Sequence, residues 1–167
     1  MTQKKVLVMM GSDSDFPVMK GCFQILKKFG IPFDARICSA HRSPERAKAM
    51  ASSARADGYG VIIGAAGLAA HLPGVIAAFT TLPVIGVPCK GGALAGVDAL
   101  YAIVQMPAGI PVAAVAIDGA VNAGILAAEI FSVFDDEIAK RLEAYKEELN
   151  ASVAARNEKL QALLEEV

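Results

Sequence analysis

The chain has 167 residues, of which 54% are hydrophobic, enough apolar side chain to bury one full core. With 16 Lys and Arg against 17 Asp and Glu the formal net charge is −1, and no basic run offers a nucleic acid or an anionic membrane surface a place to bind. Cys22, Cys38 and Cys89 are too few and too irregularly spaced for a disulfide framework or a zinc site, which points to a reducing, cytoplasmic setting.

The first residues, Met1 to Lys5, show no cleavage-site pattern, so no leader is expected. Val6 to Met10 is continuously apolar, as suits a strand buried on both faces, and Gly11-Ser12-Asp13-Ser14-Asp15 follows as a turn able to open a helix. Gly11 allows a sharp turn, and Ser12, Ser14 and Asp15 can each accept from free helix N–H groups. A helix start at a strand's carboxyl end also attracts anions through those N–H groups and the helix dipole; a plain cap is the simpler alternative. The helix continues through Val18, Cys22, Ile25, Leu26 and Phe29 and stops at Gly30. Phe33 to Cys38 reads as a second strand, placed toward the sheet edge by Asp34 and Arg36. Ser39-Ala40-His41-Arg42 is then a loop, and Ser43-Pro44-Glu45 has the form of the next helix start.

From Tyr59 to Cys89 there is no Asp, Glu, Lys or Arg, a run long enough to cross a bilayer, but its glycines and prolines cut it into short pieces and favour a buried sheet. Gly60 to Gly64 is the third strand, and Ala65 to Gly74 a loop of small residues, carrying His71, in which a ligand could lie close to backbone. Pro83 to Val87 is the fourth strand, followed by Pro88-Cys89-Lys90-Gly91-Gly92; a helix over Gly96 to Gln105 and a fifth strand over Pro111 to Ile117 complete the series. Strands alternating with helices predict an open, doubly wound parallel sheet whose ligands bind at the strands' carboxyl ends, where strand order reverses. Val121 to Phe131 is an Ala-rich helix. Phe134, Ile138, Leu142, Tyr145, Leu149, Val153, Leu160 and Leu164 then mark an apolar stripe on a charged helix. Some thirty residues at 1.5 Å each extend roughly 45 Å, so the distal half is expected to reach a neighbouring subunit of a homo-oligomer.

Both histidines, His41 and His71, fall in predicted loops at strand carboxyl ends, with Ser12, Asp15, Ser39, Arg42 and Lys90 on the same rim. A lone loop histidine is more often merely solvated; two on one rim shift the weight toward chemistry. Arg42 near the helix start at Ser12 would suit a phosphate or stand in solvent, and Asp15 would accept from ribose hydroxyls or only cap its helix. The chain lacks a Cys/His metal set, a G-x-S-x-G elbow, a Walker loop and the full dinucleotide glycine fingerprint. What remains is a cofactor-free acid/base site for a small phosphorylated metabolite.

Gly11-Ser12-Asp13-Ser14-Asp15, Ser39-Ala40-His41-Arg42, Ala69-Ala70-His71-Leu72-Pro73-Gly74, Pro83 to Pro88, Gln105-Met106-Pro107 with Gly109-Ile110-Pro111-Val112, and Asn122-Ala123 occur in that order. In these motifs, from about residue 5 to 132, the chain resembles the N5-carboxyaminoimidazole ribonucleotide mutase family, the class I enzymes of bacterial purine synthesis. The resemblance implies an α/β fold, a flavodoxin-like three-layer αβα sandwich with a five-stranded parallel sheet and a long C-terminal helix. It implies one domain over 1–167, with a core over 1–132 and an oligomer arm over 133–167, and a cytoplasmic homo-octamer. The implied reaction converts N5-carboxyaminoimidazole ribonucleotide to 4-carboxy-5-aminoimidazole ribonucleotide, with no metal or organic cofactor, on substrate supplied by an ATP-dependent synthetase. By position, His41 is implied as general acid/base, and Ser12, Asp15, Ser39, Ala40, Arg42, Ala66, Gly67, Ala70, His71 and Leu72 as substrate-binding residues. Small residues from Gly64 to Gly67 are expected to let a loop close over carbon dioxide held in the site.

Two stretches depart from the family pattern: Ala65-Ala66-Gly67-Leu68 stands where Gly-Ala-Gly-Gly is usual, and Cys89 to Leu94 carries Gly91. Leu68 stands where glycine is usual, which restricts positive φ and adds bulk beside the pocket, and Gly91 stands where serine is frequent. The nearest rival, a class II carboxylase acting on aminoimidazole ribonucleotide and carbon dioxide directly, is disfavoured by His71-Leu72-Pro73-Gly74. A non-catalytic receiver-like or ligand-binding module would share the fold, but a receiver needs an aspartate at the end of the third strand, where Gly64-Ala65 stands. A purely structural assembly protein would leave both rim histidines idle.

Overall fold

The computed structural model describes residues 4–165. Five parallel strands, β1 (Lys5–Met10), β2 (Phe33–Ile37), β3 (Tyr59–Gly67), β4 (Val84–Cys89) and β5 (Ala113–Ala114), lie in the order β2-β1-β3-β4-β5. This is the flavodoxin-like order, with its switch point between β1 and β3. The helices are α1 (Phe16–Lys28), α2 (Pro44–Ser53), α3 (Leu72–Ala78), α4 (Val97–Val104), α5 (Ala120–Ser132) and α6 (Asp136–Leu164); a 3-10 turn, Asp13–Asp15, precedes α1.

Alternation along β1 divides the core in two. Val6, Val8 and Met10 face the layer of α1, α5 and the start of α6, while Leu7 and Met9 face α2, α3 and α4. The contrast between strands follows their position: β3 and β4 are almost wholly buried, whereas β2, with Asp34 and Arg36, lies at the sheet edge as expected. At the amino ends of the strands, Asp34 Oδ2 accepts from Lys5 Nζ at 2.9 Å and from the Tyr59 hydroxyl at 2.7 Å, tying the edge strand inward.

The chain differs from its sequence-based reading in several places, the end of β4 among them: Pro88 and Cys89, expected in the loop after Val87, complete the strand. Residues Ala65, Ala66 and Gly67, expected in a loop, continue β3 and pair with Val87, Pro88 and Cys89 of β4. Ala65 is paired with Met10 of β1 as well, while Ala66 and Gly67 are held extended by β4 alone, small side chains notwithstanding. These residues therefore form a fixed floor and cannot close over the site. Leu72 to Gly74, expected in the same loop, begin α3. The fifth strand, expected over Pro111 to Ile117, is only two residues long, Ala113 and Ala114 paired with Ile85 and Gly86 of β4; beyond it the chain is held by single bonds, Val115 N–H to Gly86 O at 3.1 Å and Asp118 N–H to Pro88 O at 2.9 Å.

The uncharged run Tyr59 to Cys89 is divided among β3, α3 and β4, and among the described residues no helix is long and apolar enough to cross a membrane. The Asp135 carboxylate caps α6, accepting from Glu137 and Ile138 N–H at 3.1 and 3.2 Å. Ile138 and Leu142 are buried, and Tyr145 meets Phe29 edge-on at 5.5 Å. Beyond that point Leu149, Val153, Leu160 and Leu164 are exposed. Phe134, expected on the same helical stripe, lies in the turn before the cap and is also exposed.

Candidate active site

Four strand ends and the turns after them surround one cavity of about 620 Å³, within the ordinary size range of small-molecule sites. The β1 turn contributes Ser12, whose N–H donates to Asp15 Oδ2 at 3.0 Å while its hydroxyl oxygen accepts from Ser14 N–H at 3.3 Å, a reciprocal capping box. Gly11, expected to provide a sharp turn, has no left-handed φ; its N–H continues the ladder to Ala65 O at 3.0 Å. Asp15 is the buried charged residue among those described. Burial pushes its carboxyl above the usual carboxylate range, against the opposing pull of the Ser12 and Gly11 amides.

After β2, the turn is folded upon itself. Arg42 N–H donates to Ser39 Oγ at 3.1 Å, and Ser43 Oγ donates to Ser39 O at 3.1 Å while accepting from Ser39 N–H at 3.0 Å. Ser43 thus stands at the cap position of α2 without capping it, its hydroxyl spent on shaping the loop. That shape presents His41 toward β3, where His71 begins α3. His41 Nε2 lies 2.8 Å from His71 Nδ1, with the rings nearly perpendicular at 79°. Two N–H groups cannot face each other at this distance, so one facing nitrogen donates and the other accepts. The pair can therefore hold one shared proton and pass it between rings.

The fourth side is the β4 end, with Cys89, Lys90, Gly91 and Gly92. Lys90 N–H donates to Asp118 Oδ1 at 2.8 Å, fastening this wall to the turn after β5. Cys89 is buried, and its thiol is pushed up to about 12, mainly by burial and further by Asp15 and Asp118. It is protonated at neutral pH and serves as wall, not nucleophile. Leu68, between β3 and α3, has φ +55. Left-handed backbone costs a non-glycine residue roughly 1–2 kcal/mol, so its presence there needs a reason.

Ser12, Asp15, Ser39, Ala40, His41, Arg42, Ala66, Gly67, His71 and Leu72 all line the cavity. Ala70 does not: it is fully buried in the core beneath the site. Cys89 and Gly92 were not among the expected site residues, Leu68 and Gly91 were singled out only as departures from the family pattern beside the pocket, and Lys90 was placed on the rim without a role. Their position at the end of a strand next to the switch point is the signal that could have found them.

Residues 5–152 match the sequence model of a family described as AIR carboxylase. The chain belongs to the AIR carboxylase family. It is 50% identical over 159 residues to a Thermotoga maritima protein named N5-carboxyaminoimidazole ribonucleotide mutase, covering 95% of this chain and 93% of the relative. A Pyrococcus horikoshii protein of the same name is 51% identical over 156 residues, covering 93% and 88% of the two chains. The crystal structure of Treponema denticola PurE superposes with a TM-score of 0.86 at 34% identity, over 95% of this chain and 99% of that one. Within this AIR carboxylase fold, the rim where both histidines meet is the switch-point position at which flavodoxin-like sheets bind ligands.

Proposed function

We propose that this AIR carboxylase family member is an N5-carboxyaminoimidazole ribonucleotide mutase of purine biosynthesis. The name carried by relatives about half identical over nearly the whole chain supports the substrate. The observation that carries the chemistry is the His41–His71 pair, 2.8 Å apart in the wall of a nucleotide-sized cavity.

In this reading Arg42, Lys90 and the helix start at Ser12 receive the phosphate, and Asp15 accepts from the ribose. The exocyclic nitrogen takes a proton from His41, and its C–N bond to the carboxylate breaks, releasing carbon dioxide and leaving the amine. Ring carbon C4 then attacks the carbon dioxide, forming the new C–C bond. The proton leaving C4 returns to His41, so protons balance over the cycle. Imidazole suits both directions because it titrates near neutral pH, and His71 orients His41 or exchanges the proton with it. Holding the gas in the cavity replaces a bimolecular recapture by a local one. Ser39, Ala40, Ala66, Gly67 and Leu72 shape the floor beneath the imidazole.

The same reading makes residues 1–132 the catalytic core and 133–167 an arm of a cytoplasmic homo-octamer, fed by an ATP-dependent synthetase. The exposed apolar residues of distal α6 support the arm. The decisive experiment compares freshly prepared N5-carboxyaminoimidazole ribonucleotide with aminoimidazole ribonucleotide plus bicarbonate, both coupled to the next enzyme of the route. Efficient use of the first without added bicarbonate is the expected result. Preference for the second would make the protein a direct carboxylase.

A further inference from the structure

Asp118 stands outside the residues that line the cavity, and the reaction above does not use it. It nevertheless holds the β4 side of the site. Alternate residues of β4 meet the chain that follows β5: Gly86 O accepts from Val115 N–H at 3.1 Å, Pro88 O accepts from Asp118 N–H at 2.9 Å, and Lys90 N–H donates to Asp118 Oδ1 at 2.8 Å. The first two are backbone bonds that carry on the ladder after β5 has ended. In the third a carboxylate stands where the ladder would supply a carbonyl, so Asp118 grips two successive positions, one through its N–H and one through its side chain. Its φ of +57 is left-handed, a conformation that aspartate adopts more readily than most residues.

The loop beyond Lys90 has little else to fix it. Gly91 and Gly92 leave the backbone free, Gly92 takes φ +60, and a Cβ built on Gly91 would meet nothing within 4 Å. Bonds from Ala95 N–H to Gly92 O and from Val97 N–H to Leu94 O turn the loop on itself and into α4. Among the described residues, the Lys90–Asp118 bond is the hydrogen bond that joins residues 90–95 to a distant part of the chain. We propose that Asp118 is a positioning residue: clamped on the Lys90 N–H, it fixes where the Lys90 side chain begins and so holds that ammonium at the cavity to meet the substrate's phosphate. This role rests on the mutase reading, in which Lys90 receives the phosphate. Two effects of Asp118 oppose each other. Its charge disfavours a nearby anion, as it does in helping to push up the Cys89 thiol, while its clamp spares the substrate the ordering of a glycine-rich loop. Asp118 is exposed, so water and salt screen the charge, whereas the bond to Lys90 acts at contact. The clamp outweighs the charge.

The test follows KM and kcat of the full-length protein on N5-carboxyaminoimidazole ribonucleotide, together with its Kd for ribose 5-phosphate by calorimetry. Asp118→Gly removes the acceptor yet suits the left-handed φ, so the thermal midpoint should stay near the parent's. KM and Kd should both rise about fivefold with kcat unchanged, because a phosphate contact is made equally in the ground and transition states. Asp118→Asn keeps an acceptor oxygen and tolerates the same φ, and should bind as the parent does. In a Lys90→Ala background, Asp118→Gly should change neither KM nor Kd further, since the two residues act through one contact. Parental KM and Kd in Asp118→Gly, an equal loss in Asp118→Asn, or an undiminished effect in the Lys90→Ala background would overturn the clamp while leaving the mutase reading intact. A parent that binds ribose 5-phosphate but does not turn over N5-carboxyaminoimidazole ribonucleotide would overturn the mutase reading, and the calorimetric series would still decide the clamp.

Discussion

His41 and His71 are separated by thirty residues of chain, and neither stands out alone: each is an exposed side chain, His41 in the turn after β2 and His71 at the start of α3. Their 2.8 Å contact changes what each can do, because the facing nitrogens share a single proton and the protonation of one ring excludes it from the adjoining atom of the other. His41→Asn keeps a planar, hydrogen-bonding side chain of similar reach but cannot cycle a proton near neutral pH. Turnover should fall by about 10²–10⁴-fold, the usual contribution of a positioned acid/base. Circular dichroism and assembly mass should be unchanged, because His41 is exposed and carries no core contact. A variant with parental turnover would remove His41 from the chemistry.

At the scale of elements, the site depends on how closely the α1–α5 layer seats against the sheet. Gly124, inside α5, makes room for α1: a Cβ there would stand 2.5 Å from Ile25 Cγ2 and 3.2 Å from the Cys22 carbonyl oxygen. Alanine is the better helix former by about 1 kcal/mol, which alone predicts that Gly124→Ala stabilises. The contact with a backbone carbonyl decides the other way, since backbone cannot swing aside as a side-chain tip can. Gly124→Ala is expected to destabilise by about 1–3 kcal/mol, read as a lower urea midpoint at constant m-value. An increase in stability would mean that α1 and α5 separate freely.

For the whole molecule, α6 is the element least explained by its own chain. Its first turns are anchored by Ile138, Leu142 and Tyr145 and by Arg141 Nη1 donating to Phe29 O at 2.6 Å, while Lys28 pairs with Glu148. Past Glu148 the helix carries exposed Leu149, Val153, Leu160, Leu163 and Leu164 and adds nothing to the core. A chain ending at Glu148 should retain the thermal midpoint of the core yet lose assembly mass in light scattering. Unchanged mass would place the subunit contacts elsewhere, with the exposed face of α4 (Val97, Tyr101 and Val104) the alternative.

The periodicity of apolar residues sufficed to place β1, β2, all but the last two residues of β4, and the helices around them, because an element buried on one or both faces must show that burial in its own spacing. It also sufficed to put both histidines at strand carboxyl ends, since Ser39-Ala40-His41 follows the mixed edge strand and Ala70-His71 the apolar third strand. Local pattern could not decide where β3 ends or how short β5 is. Pairing with a neighbour's backbone holds Ala65 to Gly67 extended, and β5 lasts only as long as its two pairings with β4. Nor could it disclose that Ala70 lies beneath the site, that His41 and His71 touch, or that Leu68 rests on Gly92. Those are relations between residues far apart in the chain, set by the lateral packing of β2, β1, β3 and β4. No stretch of sequence contains them, because the hydrogen bonds that align the strands belong to pairs of strands and not to either one.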